Sequence, residues 1–167
     1  MEYRAFVLAA VCTFTFPFAF AQLSASSADA EFGTWVLDPG ASVFVSRVAP
    51  RAETRIYAPH PEGVETKIIT IDQEGVRHEV RYVGQIDGAE HPVYGAEGAS
   101  QVSLHVAGPG RAEAVFTHAG KEVGKTVREI SREGTTMTVA LTWNGNLLSR
   151  AVYRKQVEEP AAGSGAE

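Results

Sequence analysis

At 167 residues, with 15 basic and 20 acidic side chains and a net charge of -5, the chain suits one small domain with a core of its own. The basic residues are scattered and form no stripe, which argues against nucleic acid as a partner. The only cysteine, Cys12, lies in the first apolar stretch. Beyond it, disulfides, thiolate metal sites and cysteine nucleophiles are excluded.

Met1 to Arg4 reads as a short basic n-region, Ala5 to Phe16 as an apolar run, and Ala19-Phe20-Ala21 as a small-x-small cleavage site. This pattern predicts a signal peptide over residues 1–21 and export to the periplasm or the extracellular space. The run is too short to cross a bilayer, so no integral membrane association is expected. Residues 22–31, rich in Ala and Ser, read as a flexible lead-in. Residues 32–157 read as one domain, and the Pro, Ala, Gly and Ser of 158–167 as a disordered tail.

Within the domain, Gly33 to Leu37 is the first predicted strand. Asp38-Pro39-Gly40 has strong turn chemistry, and Ser42 to Val48 fits a second half of the same bent strand. Strand patterns then recur about every ten to twelve residues, a spacing typical of sandwiches and barrels. Glu53 to Tyr57 precedes the breaker Pro59-His60-Pro61-Glu62-Gly63, and Val64 to Asp72 follows it. Val76 to Gly84 alternates, placing Val76, His78, Val80 and Tyr82 on one face and Arg77, Glu79, Arg81 and Val83 on the other.

Gln85 to Ala99, with Gly88, Gly95, Gly98 and Pro92, reads as an irregular stretch along one rim. Ser100 to Val106, Ala112 to His118, Lys121 to Arg132, Thr135 to Trp143 and Leu147 to Lys155 complete the strands. Asn144-Gly145-Asn146 supplies residues that tolerate positive φ in a hairpin. No helix pattern and no internal repeat interrupts the series. The expectation is an all-β, antiparallel up-and-down barrel of about 8–9 strands, because closure removes the exposed sheet edges.

Gly33-Thr34-Trp35 resembles the G-x-W signature of the calycin superfamily, the lipocalins and fatty-acid-binding proteins. The resemblance implies a tryptophan packed at the closed end of the barrel beneath a cation from the last strand. Arg150, Arg154 and Lys155 are the candidates, and such a contact contributes about 0.5–2 kcal/mol. Gly33 to Leu37, Asp87-Gly88 through Pro92-Val93, and Val152-Tyr153-Arg154-Lys155-Gln156 also look like small exported bacterial lipocalin-like domain proteins. Trp35 to Pro39 and on to Phe44 is similar to a periplasmic lipocalin-like family that binds isoprenoid lipids, a likeness that fades after Arg47. One feature departs from the fatty-acid-binding proteins. Their carboxylate clamp is an Arg-x-Tyr pair in the last strand. Here Arg150-Ala151-Val152-Tyr153 puts the two side chains on opposite faces.

The resemblance implies a small apolar molecule held inside the barrel. Inward-facing positions make His78, Val80, Tyr82, Leu104, Met137, Leu141, Trp143 and Tyr153 the candidate ligand-binding residues, although each could equally belong to a packed core. The alternative is a filled barrel serving as an envelope or protein-interaction module, which would show a contiguous apolar surface patch. The five histidines, His60, His78, His91, His105 and His118, show no pair at metal-ligand spacing, so no metal is assigned. No Gly-x-Ser-x-Gly occurs, and Gly108-Pro109-Gly110 is a turn with no helix after it to cradle phosphate. No catalytic residue and no cofactor is expected.

Overall fold

A computed structural model describes residues 30–157. The predicted signal peptide, most of the lead-in and the predicted tail lie outside them. Ten strands follow one another: β1 (Gly33–Phe44), β2 (Ala52–His60), β3 (Gly63–Ile71), β4 (Arg77–Gly84), β5 (Glu90–Tyr94), β6 (Gln101–Gly108), β7 (Arg111–His118), β8 (Lys121–Ile130), β9 (Thr136–Trp143) and β10 (Asn146–Lys155). Each pairs with its sequence neighbours, and β1 closes on β10, giving a closed antiparallel barrel. Among the described residues, closure leaves no free sheet edge.

The fold has one strand more than the upper expected count. β5 lies inside the stretch expected to be irregular. Pro92 has no N–H to give to a ladder, which hides a strand from propensity reasoning. It also keeps β5 weakly paired, with two residue pairs to β4 and three to β6. Asp38-Pro39-Gly40 does not reverse the chain. It forms an irregularity within β1, where the pairing with β10 slips between Asp38 and Val43. Local hydrogen bonds stabilise the bend. Asp38 Oδ1 accepts from the Ala41 amide, and Ser42 Oγ donates to the Asp38 carbonyl. β2 continues through Pro59 to His60 before the chain turns. Proline is tolerated there because it pairs only at the strand's last turn, next to the hairpin.

Successive turns alternate between the two ends of the barrel. One end carries residues 30–32, the β2–β3, β4–β5, β6–β7 and β8–β9 connections, and residues 156–157. Its packing is dense. Trp35 is fully buried, with its indole N–H donating to the Glu31 carbonyl at 2.9 Å. Leu37, Met137, Val139, Ala151 and Tyr153 pack around it in one apolar cluster. A second cluster, on the wall made by β4–β7, contains Tyr82, Val93, Val102, Leu104, Ala114 and Phe116.

Candidate functional site

The two apolar clusters do not meet in a continuous core, because β2 puts charge between them. Alternation turns Glu53, Arg55 and Tyr57 inward, and all three are buried. Glu53 Oε1 accepts from Arg55 Nε at 3.1 Å, Arg55 Nη2 at 2.9 Å and the Tyr153 hydroxyl at 2.6 Å. Its Oε2 accepts from Arg47 Nη2 at 3.1 Å and Thr70 Oγ1 at 3.4 Å. Burial alone would raise the Glu53 carboxyl. The Arg55 guanidinium, the Tyr153 hydroxyl and Arg47 outweigh it and hold the group below its ordinary range. Tyr153 is pushed up, first by burial and also by the Glu53 charge, with Arg55 opposing. Arg55 remains charged despite burial, since Tyr153 and Glu53 more than offset desolvation.

A second buried cation lies nearer the closed end. Arg128, on β8, pairs with the Glu31 carboxylate from the segment before β1. Its guanidinium lies 4.5 Å from the centre of the Tyr57 ring. Tyr57 and Glu31 outweigh burial and keep it cationic. Burial, with Tyr57 adding to it, pushes the Tyr82 hydroxyl up to about 12.

The Arg55 layer divides the interior. Below it, between Arg55 and Arg128, a chamber of about 30 Å³ is lined by Tyr57, Thr66, Tyr82 and Thr126, space for a single water. Above it a cleft of about 540 Å³ opens to solvent at the other end of the barrel, within the range of small-molecule sites. Ile68, Val80, Phe116, Leu141 and Trp143 form apolar walls, and Arg47, Glu53, Arg55 and Thr70 form a polar floor. Phe116 links the walls, with its ring centre 6.2 Å from Tyr82 and 5.8 Å from Trp143. The β5–β6 loop, from Gly95 to Gly98, borders the opening. A Cβ on Gly95 would lie 1.9 Å from the Glu79 carbonyl, so only glycine lets this loop lie against β4. Gly124 has a similar role on the opposite wall: the Trp143 indole lies where its Cβ would be, at 2.0 Å.

The residues singled out in the sequence fall in four places. Val80, Leu141 and Trp143 line the cleft, and Tyr82 and Leu104 line the small chamber. Met137 and Tyr153 are packed into the cluster around Trp35. His78 is on the rim, its side chain 58% exposed and 2.8 Å from Asp72 Oδ2.

Of the candidate cations over Trp35, Lys155 has its Nζ 5.3 Å from the ring centre. Gly33 lies beside it, where a Cβ would be 3.1 Å from Lys155 Cε. Arg150 and Arg154 are on the outer wall. Arg150 is exposed opposite Val43, and Arg154 bonds Asp38 and Thr136. The irregularity of β10 falls between Leu147 and Ser149, too early to turn Arg150 inward. The guanidinium beside Tyr153 comes instead from Arg55 on β2, 5.0 Å from the ring centre.

The sequence reading missed Arg47, Glu53, Arg55, Thr70 and Arg128. The signal was available in part. The period that places Val80 and Tyr82 inward on β4 also places Glu53, Arg55 and Tyr57 on one face of β2. Among the described residues, no three His, Cys, Asp or Glu side chains gather in a group able to hold a metal ion.

No protein-family model matches the chain, and no curated protein matches it in sequence. Solved structures do. The crystal structure of the wild-type fluorescent protein UnaG is 18% identical, with a TM-score of 0.55, covering 77% of this chain and 99% of that one. A single-substitution mutant of UnaG gives 17% identity and a TM-score of 0.54, covering 78% of this chain and 99% of that one. At such identity the likeness concerns the fold alone, a closed antiparallel barrel.

Proposed function

We propose that the protein is an exported, non-catalytic carrier that holds a small, largely apolar molecule in the open half of its barrel. One observation carries this reading: the cleft of about 540 Å³, walled by aromatic and aliphatic side chains and open to solvent. Support for export comes from the leader pattern of residues 1–21. The carboxylate in the cleft, Glu53, accepts five hydrogen bonds. It is saturated as an acceptor, which suits an anchor better than a general base. Native mass spectrometry of protein purified from its own host, with titration by an environment-sensitive lipophilic dye, tests the reading. A bound mass or saturable dye uptake is expected; the absence of both would overturn it.

A second reading, an interaction module, draws support from the surface. Val43, Val45, Val48, Val76, Tyr94 and Leu147 are exposed at the open end of the barrel. On that reading, Val45→Asp with Val48→Asp abolishes association with a partner, and the wild-type cleft takes up no dye.

A further inference from the structure

We infer that the cleft selects a compact amphiphile carrying a single anionic group, bound head-down on Arg47 and Arg55; this rests on the small-ligand reading above. The floor has unequal numbers of charges and of hydrogen-bonding groups. Two guanidiniums, Arg47 and Arg55, share one carboxylate, Glu53. The other charged residue lining the cleft, Glu97, is exposed on the rim loop, where water screens it.

Hydrogen bonding is unequal in the same sense. A carboxylate has about four lone-pair sites, and Glu53 already accepts five bonds, two from Arg55, one from Arg47 and one each from Tyr153 and Thr70. Each guanidinium carries more N–H groups than these bonds use. The floor therefore has surplus donors and surplus positive charge next to a cavity that water and ligand can reach. A carboxylate or sulfonate on the ligand answers both, through the charge-assisted bonds that arginine makes to such groups.

Arg47 is the accessible member of the pair. Its side chain is 25% exposed, against 8% for Arg55. It comes from the β1–β2 connection, and its guanidinium also lies 5.5 Å from the Phe44 ring centre. The Arg55 layer limits size as well as charge. It closes the barrel midway, so a head group seated there leaves the body only the upper half, between Phe116, Leu141 and Trp143. A ring system fits that space better than a long chain.

The test compares anilinonaphthalene sulfonate with the same anilinonaphthalene lacking the sulfonate, each titrated into the full chain by fluorescence. The sulfonate-bearing probe should bind at least about tenfold tighter at low salt, as one charge-assisted contact implies, with the preference shrinking as salt rises. Arg47→Ala should remove most of that preference, the ratio of the two probes' affinities falling towards one. Arg47→Lys should restore part of it, and Arg132→Ala, at the closed end, should leave it intact. Equal binding of the two probes by the wild type, or a preference untouched in Arg47→Ala, would overturn the anion inference and leave the small-ligand reading standing. Saturable binding of neither probe would overturn both.

Discussion

The two halves of the barrel are built from the same kind of strand and differ in what fills them. At the closed end, Trp35 and Met137 are fully buried and Val139 and Tyr153 nearly so. At the open end the interior is a cleft, bordered by the loop that follows β5, a strand joined to β4 by two residue pairs. The difference teaches a division of labour. Packing density in one half supplies stability, and the other half can leave space unfilled without the barrel collapsing.

The sharpest way to break this comparison is to remove the closed-end plug. Trp35→Ala deletes a fully buried indole along with its hydrogen bond to Glu31 and its contact with Lys155. The expected loss is about 3–5 kcal/mol, as for other buried aromatic truncations. Thermal melts check it, and an unchanged midpoint would show that the closed half is not where stability resides.

The next effect concerns the boundary between the halves. Glu53→Gln keeps the side-chain shape but leaves Arg47 and Arg55 without their counter-charge. Removing one partner of a buried, charge-assisted set should cost about 2–3 kcal/mol at neutral pH. The pH dependence has a definite sign. The folded protein holds the Glu53 carboxyl below its ordinary value of 4.5, so folding favours the ionised form. That stabilisation is complete above the ordinary value and is lost as pH falls below it, through the folded value. Melting temperature measured from neutral pH down to about pH 2 should fall more steeply for the wild type than for Glu53→Gln. Parallel curves would mean that Glu53 does not anchor the layer.

Most of the wall was legible in the sequence, and most of the floor was not. Alternation in β4 and β9, the glycine-rich turns and the Gly33-Thr34-Trp35 opening all report local backbone geometry, which the chain states residue by residue. β5 was hidden because Pro92 and three nearby glycines contradict strand propensity, and its pairing is imposed by the barrel around it. The polar layer was hidden for a different reason. Glu53, Arg55 and Arg128 look like solvated charges on half-exposed strands until closure turns them inward. Their partners are far away in sequence: Tyr153 for Glu53, and Glu31 for Arg128. A lone arginine at an inward position costs too much to bury without such a partner, and single-sequence periodicity cannot show that the partner exists.

A smaller effect tests how the cleft wall is made. A methyl group on Gly124 would meet the Trp143 ring carbons at 2.0–2.3 Å. Gly124→Ala must therefore push the indole away, at a cost of about 1–3 kcal/mol, as overpacking elsewhere does. Tryptophan emission is the direct readout. Trp35 is buried and unaffected, so any shift belongs to Trp143. Unshifted emission would show that the indole does not lean on Gly124.

Trp143→Ala should have the smallest effect on stability and the clearest effect on the cleft. The indole is half-buried at the rim, and its main aromatic partner is Phe116 at 5.8 Å. Such a pair contributes about 0.5–1.5 kcal/mol beyond area burial, so the melting midpoint should move far less than in Trp35→Ala. The cleft, however, loses its largest wall residue and gains volume on the solvent side. A lipophilic probe would then keep fewer contacts and bind several-fold more weakly, while Trp35 emission stays as it was. The two tryptophans thus make a matched pair, one in each half of the barrel. If truncating Trp143 destabilised the fold as much as truncating Trp35 and left probe affinity untouched, the open half would be core rather than site.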